Sequence, residues 1–196
     1  MSAGTLDRRG VWIAVVAYVA WGLMPLYWHL LKVVPSLQII AHRVVWSALF
    51  VCGWLGLKYG RSWLRDTLAR PHAAPMLALS GALIAFNWGL YIWAVNAGHV
   101  VESALGYFIN PLLNVVLGVL VLHERLNRVQ WAAVAIAALG VLWLTRNYGS
   151  FPWIALALAI SFGSYGLVRK LLGAPPVRGL GVESLFLLLP ALIFLL

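Results

Sequence analysis

Seven long stretches of this chain carry almost no charge, and they constrain its fold more than any motif does. Six occupy residues 10–31, 36–57, 74–97, 101–122, 129–145 and 151–168, and a seventh begins near Leu180 and runs to Leu196. A helix rises 1.5 Å per residue, so about 20 apolar residues cross a hydrocarbon core about 30 Å thick. Strands with open edges leave backbone groups unsatisfied in lipid, and no stretch alternates as a barrel strand does. The pattern therefore predicts an all-α polytopic membrane protein with about seven transmembrane helices. The first stretch is too long for a signal-peptide core and lacks a clear small-residue cleavage site, so it reads as a retained helix. Apolar residues make up 63% of the chain and charged residues 10%, against ~25% charged in a soluble domain. The polar content sits in short connectors, which leaves no room for a separate soluble domain.

The net charge of +9 is a topology signal. Arg8, Arg9, Lys58, Arg61, Arg65, Arg70, Arg125, Arg128, Arg169, Lys170 and Arg178 fall on one side of the predicted spans. Only Lys32 and Arg146 fall on the other, and Arg43 lies within a span. The positive-inside rule then places the N-terminus in the cytoplasm. With the basic residues so distributed, no nucleic-acid partner is expected; the lipid bilayer is.

Sliding the sequence on itself gives one informative offset, of 141 residues. Trp12-Ile13-Ala14 falls on Trp153-Ile154-Ala155, Gly22 on Gly163, Leu30-Leu31 on Leu171-Leu172, Pro35 on Pro176 and His42 on Glu183. The offset covers five spans, an odd number, so the second copy inserts upside down. Inverted repeats are a transporter architecture, with substrate held near the midplane between them. The expected organisation is a cytoplasmic segment at 1–9, a five-helix repeat at 10–147, and the start of a second, inverted repeat at 148–196. The last apolar run has no exit loop, which predicts an incomplete second repeat in a truncated chain.

Ionisable and amide groups inside spans are functional candidates by default. His42 and Arg43 lie early in the second span, Glu102 at the outer end of the fourth and Glu183 near the inner end of the seventh. Three of them have a plainer reading: Arg43 snorkels outward, Glu102 anchors at the interface, and His42 bridges helices. In the fourth span Glu102, Gly106, Asn110, Asn114 and Gly118 recur every four residues. That small, polar stripe turns toward protein or water, either as helix-packing glue or as a substrate surface. Pro111 frees the carbonyl of Tyr107. Asn87 and Tyr91 lie one turn apart in the third span among tryptophans, a composition suited to an organic-substrate pocket and equally to an aromatic belt. Gly22 with Pro25, Pro111, and Gly163 are candidate helix interruptions, and passive packing kinks are the alternative.

The single Cys52 excludes a disulfide framework and a cysteine metal site. His123-Glu124 lacks the second histidine of a zinc-protease helix, and neither a nucleophile elbow nor a Walker A loop occurs. The chain is read as a non-enzyme needing no cofactor or metal.

The runs AYVAWGLMPLYWHL, AHRVVWS, NWGLYIWAVNAGHVVESALGYFINPLLNVVLGVL, HERLNRVQWAAVAIAALGV and SFGSYGLVRK resemble the RarD-type transporters. These belong to the EamA domain family of the drug/metabolite transporter superfamily. The resemblance extends from about Gly10 to the C-terminus, and GYFINPL with the following Glu-Arg element is its most specific part. It implies two inverted five-helix repeats in a bacterial inner membrane and export or exchange of small metabolites or drugs. The RarD group carries a chloramphenicol-sensitivity label, which does not define a substrate. Where the family pattern tends to an acid, this chain has Gln38, so coupling through that position is unsupported.

The expected function is secondary transport of a small molecule by alternating access. The expected path is lined by His42, Arg43, Asn87, Tyr91, Glu102, Tyr107, Asn110, Asn114 and Glu183. Arg43 would meet an anionic group on substrate or Glu102, and His42 or Glu102 would carry a coupled proton. The alternatives are a non-transporting membrane scaffold or regulatory subunit, or an inactive fragment of a transporter. A homo-oligomer is compatible with all of these.

Overall fold

The computed structural model describes residues 8–196, apart from the side chains of Arg8 and Tyr148. The predicted segment 1–9 lies almost wholly outside them. The elements are α1 (Arg8–Leu30), α2 (Ser36–Ser47), a π-helical stretch (Ala48–Cys52), α3 (Gly53–Tyr59), α4 (Ser62–Leu68), α5 (Ala73–Asn96), α6 (Val100–Leu120), α7 (Arg128–Tyr148), α8 (Trp153–Leu172) and α9 (Pro176–Leu195). All the described elements are helical. Seven helical runs are long and apolar enough to cross a membrane, the second being α2, the π stretch and α3 together. They coincide with the seven predicted stretches to within a few residues, and the differences have local causes. Pro176 occupies the first turn of α9, where its missing N–H is no loss, so the helix starts before Leu180. Arg169 and Lys170 lie in the last turn of α8, where cations suit the helix dipole, so α8 continues past Val168. Gly173, at φ 61°, then ends it in the left-handed conformation. Asn127 and Gln130 form a reciprocal capping box that fixes the start of α7.

The proposed interruptions behave differently from expectation. α1 is continuous across Gly22 and Pro25, α6 across Pro111 and α8 across Gly163. One proline removes one backbone bond, which a long helix tolerates in a span. Departure from α-helical bonding within a span occurs instead at the π stretch Ala48–Cys52, which holds no Gly or Pro to mark it in the sequence.

α8 packs along α5 and α6, while α9 packs along α2, the π stretch and α5. α1 touches α5 and α7 touches α6, and no residue in the most apolar window of either is buried, which puts both at the edge of the bundle. Exposure of large apolar side chains is what a lipid-facing surface needs, because lipid tails are as apolar as leucine. Close approach is set by small residues. A Cβ on Gly106 would stand 3.1 Å from the Ala155 carbonyl, and one on Gly81 3.4 Å from the Glu183 carbonyl. One buried cluster joins Trp28, Ile39, Tyr91, Ile92, Ile154 and Leu158, and the other joins Leu55, Trp63, Leu77, Leu172 and Val182.

The connectors sort into two ends. At one, Arg70 Nη1 donates to the Gly173 carbonyl at 2.8 Å, Lys170 pairs with Glu124 at 2.6 Å, and Arg178 lies over Tyr59 at 4.7 Å. At the other, Trp93 stacks on His99 and meets Trp153. The basic loops therefore gather at a common end of the molecule.

Candidate functional site

The polar stripe of α6 faces α8, and the two helices run parallel. Glu102 is buried and accepts the Ile154 backbone N–H at 2.9 Å, capping the start of α8 from a neighbouring helix. Such a carboxylate satisfies an orphan donor and complements the positive helix end. The second Glu102 oxygen is 3.9 Å from His99 Nδ1. The Glu102 carboxylate is thus directed to the start of α8 and to His99. Further along, Gly106 meets Ala155 and Leu158, and Asn114 comes against Gly163.

Beside these contacts a pocket opens toward α1 and α5. It is lined by Trp21 of α1, Asn87, Trp88 and Tyr91 of α5, Ser103, Gly106, Tyr107 and Asn110 of α6, and Leu158 and Phe162 of α8. Four expected path residues meet here: Asn87, Tyr91, Tyr107 and Asn110. Asn87 Nδ2 donates to the Leu158 carbonyl at 2.9 Å and to Ser161 Oγ at 2.8 Å, fixing its amide against α8. Tyr91 and Tyr107 meet edge to face with centroids 6.0 Å apart. Trp21 Nε1 donates to the Tyr107 hydroxyl at 3.1 Å, tying α1 to the pocket rim. Asn110 Oδ1 is buried with no hydrogen-bond partner.

A second cavity lies beyond Trp88, among α2, α5 and α9. Arg43, Ser47, Trp88, Glu183 and Ser184 line it. Arg43 does not reach outward: its guanidinium lies 3.6 Å from the centroid of the Trp88 ring, and its Nη1 is buried without a hydrogen bond. Glu183 is 1% exposed. Its Oε1 accepts from Ser80 Oγ at 2.6 Å and stands 3.3 Å from Arg169 Nη1, while its Oε2 has no hydrogen-bond partner. Arg169 also donates to the Pro176 carbonyl at 2.9 Å and packs against Gly179. Glu183 thereby clasps α5, α8 and α9 together.

His42 is exposed in a groove with Tyr27, Trp28, Arg43 and Trp46, outside both cavities. Asn114 is likewise exposed and lines neither. Sequence reasoning missed Trp21, Ser80, Ser161, Phe162 and Arg169. Serines inside apolar runs were the available signal for Ser80 and Ser161. Arg169 had been counted as a topology residue only. Among the described residues, no His, Cys, Asp and Glu side chains gather in threes as a metal site would need.

The model of the EamA-like transporter family matches residues 8–146. The chain belongs to the EamA-like transporter family. An uncharacterized transporter of Pseudomonas aeruginosa is 50% identical over 189 residues, covering 96% of this chain and 63% of its own length. Protein RarD of Streptomyces exfoliatus is 48% identical over 197 residues, covering 100% of this chain and 62% of its own. Protein RarD of Escherichia coli K12 is 46% identical over 188 residues, covering 96% and 64%. This EamA-family chain thus spans 62–64% of the length of these curated relatives. No solved structure matches it. The RarD-type resemblance read from the GYFINPL region agrees with the relatives, and a family of membrane transporters accords with a non-enzyme.

Proposed function

We propose that this EamA-family chain forms the substrate path of a secondary transporter for small metabolites or drugs, working by alternating access. The observation that carries the reading is the pocket between α1, α5, α6 and α8. It gathers Asn87, Tyr91, Tyr107 and Asn110 at mid-helix depth, beside a second cavity with half-buried Arg43 and buried Glu183. Aromatic walls with a few placed polar groups suit an organic ligand. Buried ionisable groups inside a membrane mark paths and couplings more often than packing.

The inverted-repeat organisation at 10–147 and 148–196 is part of this proposal. α2 and α9 are equivalent under the 141-residue offset and pack against each other, as equivalent helices across a pseudo-two-fold axis would. Glu183, matched to His42, and Arg43 then reach the repeat interface from opposite sides. A cytoplasmic N-terminus in a bacterial inner membrane is part of the same reading, supported by the basic loops that gather at one end. Proton coupling would run through Glu183 or His42, because the Glu102 carboxylate caps α8.

The test is the metabolite content of medium from cells expressing the full chain. Asn110→Leu and His42→Ala should each change the pattern of released small molecules. A pattern identical in both variants and the parent, at equal membrane abundance, sinks the assignment and leaves a non-transporting scaffold as the better reading.

A further inference from the structure

The turn from α3 to α4 concentrates positive charge beyond what the positive-inside rule asks. That rule needs only an excess of Lys and Arg in the loops of one end. Here two cations from separate helices share one ring. Lys58 Nζ, in the last turn of α3, lies 5.3 Å from the centroid of Tyr59 and 4.8 Å from that of Trp54. The Arg178 guanidinium, in the first turn of α9, lies 4.7 Å from the Tyr59 centroid. The two charges are therefore within about 10 Å of each other, roughly one Debye length, so salt screens their repulsion only in part.

A ring face attracts a cation but supplies no counter-charge. The carboxylates of this end are engaged elsewhere, Glu183 with Arg169 and Glu124 with Lys170. Among the described residues, neither Lys58 nor Arg178 belongs to an ion pair, and Asp66 of α4 reaches neither. The place is also fixed. α3 ends at Gly60, at φ 62°, and the Ser62 hydroxyl donates to the Tyr59 carbonyl at 2.8 Å. α4 then buries Trp63 and Thr67, one turn apart, which leaves Arg61 and Arg65 on its opposite, exposed side. Cations held in place lose less freedom when they bind.

Apolar surface runs into this cluster. Trp54, Leu57 and Lys58 share one face of α3 by their spacing of three and four residues, and Leu57 is 92% exposed. Val177 and Leu180 are exposed one turn apart at the start of α9. A free anion in water gains nothing from such surface, whereas a lipid lays a chain along it. Basic clusters beside membrane helices are suited to anionic headgroups.

We infer that this cluster binds an anionic phospholipid, with Lys58 and Arg178 at its phosphodiester and an acyl chain along Trp54 and Leu57. The site is separate from both cavities and does not depend on either being a substrate path.

Native mass spectrometry of the full chain in detergent, titrated with phosphatidylglycerol or phosphatidylcholine, tests it. Both lipids carry a phosphodiester and two chains, and they differ in net charge. Phosphatidylglycerol should bind about 25-fold tighter, at about fivefold for each cation near the headgroup. Lys58→Gln and Arg178→Gln should each remove about fivefold of that preference. Lys58→Arg with Arg178→Lys keeps both charges and should keep the preference. Arg125→Gln with Arg128→Gln, at exposed cations outside the cluster, should change it by less than about twofold. Equal binding of the two lipids overturns the inference. So does a preference that survives the double variant Lys58→Gln, Arg178→Gln, that is lost in the charge-keeping pair, or that falls as far in the Arg125, Arg128 pair. Displacement of phosphatidylglycerol by equimolar inorganic phosphate overturns it as well, because the site would then serve a free anion.

Discussion

Trp88 separates two cavities of opposite character. On one side, amides and hydroxyls sit among aromatic rings, and no lining residue carries a charge. On the other, Arg43 and Glu183 share a cavity, and Arg169 with Ser80 holds the carboxylate in place. The contrast follows from what each seam must do in lipid. The α6–α8 seam is closed by small residues and, at its start, by the Glu102 carboxylate on the Ile154 N–H; along the pocket, past Glu102, no charged side chain lines it. The α5–α8–α9 junction is held by an ion pair whose separation leaves a buried charge uncompensated. A path that admits and releases a molecule is better placed along the first seam. A group that responds to ions or protons is better placed at the second.

Breaking the ionic side should have the largest effect. Arg169→Leu leaves Glu183 without its cation and should lower stability by about 3–5 kcal/mol, read as thermal unfolding in detergent. Arg169→Lys should recover a large part of that. A loss in Arg169→Leu no greater than that from a pocket amide would erase the contrast.

Seam closure comes next. Gly106→Ala sets a methyl against the Ala155 carbonyl at 3.1 Å and should destabilise by about 1 kcal/mol or more. Gly89→Ala, whose Cβ would meet only Ile40 at 3.9 Å, should be neutral or stabilising by up to ~1 kcal/mol through helix propensity. The opposite signs are the test. Asn87→Leu removes the amide bonds to α8 and should lose about 0.6 kcal/mol, the average for hydrogen bonds between membrane helices. Trp21→Phe removes an exposed bond to Tyr107 and should change stability by less than ~0.5 kcal/mol. Its effect should appear instead as faster quenching of Trp88, the remaining pocket tryptophan, by acrylamide.

The spans were legible in the sequence because lipid imposes a long apolar run on any helix that crosses it. The meeting of Asn87, Tyr91, Tyr107 and Asn110 was legible for a related reason, since one-turn spacing puts polar groups on a common face. What lay beyond periodicity was partner choice between helices. Whether Glu102 faced an interface, a substrate or the start of α8 depends on where Ile154 lies, and no local pattern encodes that. The same holds for Arg43, which has room to snorkel by length alone but is captured by Trp88. The π stretch Ala48–Cys52 left no mark in Gly or Pro content, where interruptions were sought. Pro25 and Pro111 carried that mark and sit in unbroken helices.

Solvent access at Asn110 tests the central claim most directly. With Cys52→Ala removing the native thiol, Asn110→Cys should react with a membrane-impermeant thiol reagent. Ile136→Cys, on the exposed face of α7, should stay unreactive in lipid. Equal inertness at both positions would mean that the pocket is sealed packing and not a path.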